Sequence, residues 1–236
     1  MPRLARSIQN YNYFHIMTKG INKENIFYSD FYKNQIIRYY FDEKYDWDIL
    51  AYAIMDNHTH FLVRVDNTEI LSNIMKSINI RYSILYNNIE DRNGHLFQNR
   101  FKSSPIKSER QLFECTRYIH NNPVFAYIAK SPKDYKFSSY NDFFIENKDN
   151  ISKCFIRLIK DNFKNENEFL KFHCERIFSL QLDTKEDTSI AKKYIMDKLK
   201  NKLDSNEKIK LSKKLREMGF TKVEISRKLK ISRNRI

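Results

Sequence analysis

The sequence predicts an α+β fold: a ferredoxin-like, RRM-like antiparallel sheet with helices packed on one face, followed by a C-terminal all-helical extension. Three observations predict it. Strand-like segments alternate with amphipathic helical runs through roughly the first half of the chain. Two of the strand-like segments are separated only by Asp56-Asn57, which is turn chemistry and marks a hairpin. Toward the C-terminus the pattern changes to Lys-rich helical sequence.

Taken in order, residues 13–18 (Tyr-Phe-His-Ile-Met-Thr) read as the first strand, ended by Gly20. Ser29 supplies an N-cap for an amphipathic run through Tyr40. Residues 47–55 and 58–65 are the two arms of the hairpin. From Thr68 a long helical pattern extends to about Asn88, with Ile70, Leu71, Ile74, Ile78 and Tyr82 on its apolar face. Residues 91–94 are a turn and 103–107 a short strand. A helix then starts at Ser108 and runs toward Asn121, with Pro123 expected to end it. The stretch from about 141 to 190 is helical in pattern without a legible motif. The domains expected are a catalytic-type domain over 1–145, a helical connector over 146–190 and a basic helical unit over 191–236.

Composition narrows the class. The 236 residues are 41% hydrophobic and 14% aromatic, enough apolar surface for a core, and only three Gly exclude a collagen-like chain. No run of about 18 apolar residues is present, so no membrane span is expected. Cys115, Cys154 and Cys174 show no metal-binding spacing and are odd in number, which suits a reducing cytoplasm. Net charge is +14 and unevenly spread. Residues 191–236 hold 16 Lys and Arg against 5 Asp and Glu, a net of +11, while residues 1–190 hold 27 against 24. A second excess lies between Arg92 and Lys136, with nine cationic side chains against Glu109, Glu114 and Asp134. Two separate basic regions point to a polyanionic partner.

Three segments could carry chemistry. In His58-Thr59-His60, strand alternation projects both imidazoles to one face, where they could share a divalent metal. Two histidines at this spacing also arise in ordinary strands. In Arg117-Tyr118-Ile119-His120-Asn121-Asn122-Pro123, Tyr118 and Asn122 fall one helical turn apart, so a phenol and an amide oxygen share a face. Equally, Tyr118 fits a core position and Asn122 a helix stop before Pro123. In residues 94–102, Arg100 and Lys102 alternate with Phe97 and Phe101, offering phosphate contacts and flat rings for unpaired bases, or simply a basic loop with packed aromatics.

Five blocks occur in sequence order: 20–27 (Gly-Ile-Asn-Lys-Glu-Asn-Ile-Phe), 55–63 (Met-Asp-Asn-His-Thr-His-Phe-Leu-Val), 94–101 (Gly-His-Leu-Phe-Gln-Asn-Arg-Phe), 117–124 (Arg-Tyr-Ile-His-Asn-Asn-Pro-Val) and 134–140 (Asp-Tyr-Lys-Phe-Ser-Ser-Tyr). Together they resemble the REP-associated tyrosine transposases, members of the HUH single-tyrosine transposase superfamily, over roughly residues 1–142. The resemblance implies a metal-binding pair at His58 and His60, a third ligand at Asn122, a nucleophile at Tyr118, and Mg²⁺ or Mn²⁺ as cofactor. It further implies strand transfer on single-stranded or hairpin DNA of the repetitive palindromic type, through a 5′-phosphotyrosine. Arg3, Arg6, Arg100, Lys102 and Arg117 are the phosphate contacts this would need. Two departures stand out: Thr59 replaces a usually hydrophobic residue, and Asp56 stands where the family often has Pro. The setting implied is cytoplasmic and nucleoid-associated, with the protein a monomer or homodimer.

Residues 205–219 read as a helix closed by Gly219, and Thr221 to Glu224 as a capping box opening a second. Ser232 caps the start of a third, with about one turn before Ile236. This resembles a truncated helix-turn-helix. The competing function is a non-catalytic DNA-binding regulator using the same sheet and C-terminal helices. An RNA-binding sheet of the RRM type lacks its aromatic signature here.

Overall fold

Strand β1 (Tyr13–Lys19) runs through the middle of the sheet and meets β3 (His58–Arg64) on one side and β4 (Lys102–Pro105) on the other; β2 (Asp48–Ile54) completes the order β2-β3-β1-β4, with every pairing antiparallel. These come from a computed structural model that describes residues 12–126, 128–144, 151–174, 204–217 and 222–235. The chain divides into two units, Met1–Ile177 and Phe178–Ile236. No helix among the described residues is long and apolar enough to cross a membrane.

Helix α1 (Asp30–Tyr40) starts at Ser29, whose hydroxyl accepts from the Tyr32 amide. Helix α2 (Thr68–Ile89) starts at Thr68 as expected, and Asn67 caps it: its Oδ1 takes the amides of Glu69 and Ile70 at 3.0 and 2.9 Å. Both helices cover the face of the sheet that carries Ile16 and Phe61: Tyr40 stacks on Phe61, and Tyr82 reaches back to the Ile26 carbonyl at 2.6 Å. Ile16, Phe61, Ile36, Leu71 and Ile78 are fully buried there.

The α+β class and antiparallel sheet are as the sequence predicts, but the helices do not keep to one face. Helix α3 (Glu109–Phe125) lies on the other, against β2 and β3. The cause is visible in β2 and β3, whose central five residues or more are buried without alternation; strands covered on both sides have no polar face. Pro123 does not end α3. The helix continues to Phe125, and Ala126 N donates to the Asn122 carbonyl at 2.9 Å. A proline so near the end of a helix forfeits only one hydrogen bond.

The stretch expected as a connector over 146–190 supplies α4 (Lys153–Asn162) and α5 (Glu166–Cys174), which lie within the first unit; α5 packs on α3. In the second unit, α6 (Ser205–Glu217) opens with a reciprocal cap: Glu207 N donates to Asp204 Oδ1 at 2.7 Å and Asp204 N to Glu207 Oε2 at 3.0 Å. Helix α7 (Lys222–Leu229) buries Ile225 and Leu229, and Ser232 then caps a single 3-10 turn, Arg233–Arg235. The expected closing Gly219 and capping Thr221 lie outside the described residues.

Candidate active site

His58 and His60 point to the face opposite Phe61, as strand alternation requires. Register adds neighbours from the adjoining strands. Met17 pairs with His60 and Lys102 with Met17, while Lys19 pairs with His58, so Lys19 and Lys102 share the imidazoles' face. The turn that presents His58 is tied down from three sides. Gly20 N donates to the Asn57 carbonyl at 2.9 Å and Phe27 N to the Asp56 carbonyl at 2.8 Å. The buried Lys33 ammonium meets Asp56 at 2.6 Å. Gly20 must be glycine, because a Cβ there would stand 2.6 Å from the Glu24 carbonyl oxygen.

The sequence blocks converge on this end of the sheet. Ile21 N donates to the Leu96 carbonyl, and Ile54 N to the Phe137 carbonyl, both at 2.9 Å. The two departures from the family pattern have local partners. Thr59 turns to the α1 side and shares a 2.8 Å hydrogen bond with Thr18, and Asp56 is the counterion of Lys33.

Tyr118 comes to the histidines from α3. Its ring stands edge-on to His60 at 5.6 Å and to His15 at 5.8 Å, and is 3% exposed. The phenol is buried, yet its ring neighbours include two imidazoles. Asn122 sits one turn further along α3, with its amide nitrogen donating to the Tyr118 carbonyl at 3.3 Å. Because α3 is helical through this segment, the one-turn spacing is real.

Hydrogen bonding and burial constrain the two histidines. His58 Nδ1 donates to Asn57 Oδ1 at 2.5 Å, which leaves Nε2 unprotonated in the neutral ring. Burial holds His60 well below the usual imidazole range, and positive charge on His58, His15, Lys102 and Lys19 pushes the same way. His60 is thus neutral, the form that ligates metals. Its Nε2 is buried and has no hydrogen-bond partner among the described residues. No cluster of three or more His, Cys, Asp or Glu capable of holding a metal occurs among them either. The ligand set expected from the sequence, two imidazoles and an amide, is not a cluster of that kind, and the orphaned His60 Nε2 fits a cation.

Other expected contacts divide. Arg100 and Lys102 are exposed. Arg3 and Arg6 lie outside the described residues. Arg117 is not a phosphate contact: it is 5% exposed, donates to the Phe172 carbonyl at 3.2 Å and lies over the Phe172 ring. Phe101 is buried and Phe97 packs towards Tyr82, so these rings serve the core rather than stacking bases.

Sequence reasoning missed His15. It stacks on His60 with rings 5.1 Å apart and 8° from parallel, and its Nε2 lies 2.9 Å from His60 Nδ1. The only signal was parity: His15 is an even number of residues from Met17 and Lys19 on β1. Also missed was a directed hydrogen-bond chain behind α3. Tyr52 N donates to Ser139 Oγ, Ser139 Oγ–H to His120 Nε2, His120 Nδ1–H to His173 Nε2, and His173 Nδ1–H to the Phe169 carbonyl, over 2.8 to 3.0 Å. With Asn121 Nδ2 donating to the His173 carbonyl, it ties the tyrosine-bearing helix to β2 and α5.

The family described as IS200-like transposases matches residues 8–122, in line with the resemblance read from the sequence. No curated protein matches the chain. Among solved structures, a REP-associated tyrosine transposase bound to a REP hairpin is 16% identical, with 60% of this chain and 84% of that one covered and a TM-score of 0.49. A candidate transposase from Deinococcus radiodurans R1 is 13% identical, with 51% and 97% covered and a TM-score of 0.35.

Proposed function

We propose, from the match of residues 8–122 to the IS200-like transposases, that the chain is a single-strand DNA endonuclease and strand transferase of the REP-associated tyrosine type. The observation that carries this is the meeting of Tyr118, His60 and His58 on one face of the sheet, delivered by a helix and a strand distant in sequence. The Tyr118 oxygen attacks phosphorus, the bond to the 3′ oxygen breaks, and the products are a 5′-phosphotyrosine and a free 3′-OH. The phenol proton is lost as the bond forms and the departing 3′ oxygen takes one up, so the step is proton-neutral overall. A later 3′-OH reverses the step, since the tyrosyl phosphodiester retains the energy of the bond it replaced. Held by His58, His60 and Asn122, Mg²⁺ or Mn²⁺ would supply Lewis-acid polarisation of the phosphoryl oxygens.

Lys19 and Lys102 put positive charge beside the histidines, where a phosphodiester must lie, and Arg100 extends that charge along the exposed loop. At 3% exposure Tyr118 cannot reach a phosphate unmoved. Engagement of DNA therefore includes a local shift of α3 or of the side chains over it. The substrate class is hairpin DNA with a single-stranded flank.

The test is denaturing electrophoresis of protein incubated with labelled hairpin DNA and Mn²⁺. Wild type should give a covalent protein–DNA band. Tyr118→Phe, which keeps the ring and loses the hydroxyl, should give none while binding the DNA normally. An adduct that persists in Tyr118→Phe means another nucleophile. Binding by wild type without any adduct leaves a non-catalytic DNA-binding protein.

A further inference from the structure

We propose that His15 is a positioning residue: its Nε2 accepts from Nδ1–H of His60 and so holds His60 in the tautomer whose Nε2 lone pair is presented to a cation. This role rests on the function proposed above.

The two nitrogens are 2.9 Å apart and can share only one proton in the neutral pair. If His15 were the donor, the His60 proton would sit on Nε2, where it is buried with no acceptor among the described residues and has no lone pair to offer. If His60 is the donor, Nε2 keeps its lone pair and a cation satisfies it. Only the second arrangement is compatible with ligation. The geometry is firm: His15 is 3% and His60 1% exposed, and the antiparallel register sets His15 opposite Leu62, diagonal to His60 on the same face. The Tyr118 ring closes over the edges of both imidazoles, limiting their rotation.

A ligating histidine commonly gives its second N–H to a carboxylate or a carbonyl. A carboxylate at this position would add negative charge beside an incoming phosphodiester. A neutral imidazole supplies the same lone pair without that charge, which suits a site whose other neighbours are Lys19 and Lys102.

The test uses the full chain. With ¹⁵N-labelled histidine and no metal, wild-type His60 should show a protonated Nδ1 and an unprotonated Nε2. In His15→Leu that preference should be lost, and Mn²⁺ affinity by calorimetry should fall roughly 10- to 100-fold. His15→Gln places an amide oxygen near the former Nε2 and should restore both the tautomer and most of the affinity, which a purely packing role would not. Should His15→Leu fail to fold, His15→Asn, whose amide ends too short, takes its place. A wild-type His60 protonated on Nε2, or unchanged Mn²⁺ affinity in His15→Leu, overturns the role even if wild type forms the DNA adduct. A wild type that neither binds Mn²⁺ nor forms the adduct overturns the proposed function and this role together.

Discussion

His58 and His60 differ in what they would lose on truncation. His58 is part-exposed at the end of the hairpin, whereas His60 is buried and hydrogen-bonded to His15. Replacing both by Ala should abolish Mn²⁺-dependent nicking of labelled hairpin DNA. Retention by filters or gel shift should persist, because Arg100 and Lys102 remain. The His60 change alone should cost about 1–3 kcal/mol in urea unfolding, since it leaves His15 without its partner. Full nicking by the double variant would remove the imidazoles from the chemistry. The residue scale is also where the sequence was most and least informative. The pair at 58 and 60 was legible because strand parity is local. Arg117 was misjudged because charge alone does not say whether a guanidinium faces water or a ring; its partner, Phe172, is 55 residues away. His15 was invisible for the same reason, since its role depends on the pairing of β1 with β3.

At the scale of elements, strands and the first three helices were legible from periodicity and caps, to within a few residues at their ends. The placement of α3 and the meaning of α5 were not, because both depend on packing between segments that carry no mutual signal in sequence. Phe169 holds α5 in place: it is fully buried with its ring against Tyr140, Phe143, Phe163 and His173. Phe169→Ala should cost about 3–5 kcal/mol in urea unfolding. Adduct formation should fall with it, because α3 loses its backing. Unchanged stability would mean that α5 does not brace α3. The same cluster sets an acid limit. Burial lowers His173 to about 4 from 6.5 and holds His120 well below the usual range. Below pH 6.5 the unfolded chain takes up protons that the folded chain refuses. Stability should therefore be flat above that value and fall between pH 6.5 and about 4, with His173 contributing up to about 3 kcal/mol. Urea midpoints across that window should decline less steeply in His173→Gln than in wild type; equal slopes would exclude His173 as a source.

At the scale of the whole molecule, charge and chemistry are separated along the chain. His15, His58, His60, Tyr118 and Asn122 all belong to the unit Met1–Ile177, while residues 178–236 carry 17 Lys and Arg against 8 Asp and Glu, +9 of the total +14. A polyanion is captured largely by counterion release, and each single-strand phosphate neutralised adds about 0.7 to the slope of log affinity against log salt. A chain ending at residue 177 should therefore still form the Tyr118 adduct, but bind hairpin DNA more weakly and with a shallower salt dependence. If the basic helices touch about four phosphates, the slope should drop by about 3. The comparison has to be made over a salt series, because at a single low salt concentration the remaining +5 could mask the loss. An unchanged slope would mean that the C-terminal charge does not contact DNA and serves only to keep those helices solvated. Loss of the adduct at saturating DNA would mean that the second unit takes part in the chemistry as well as in capture.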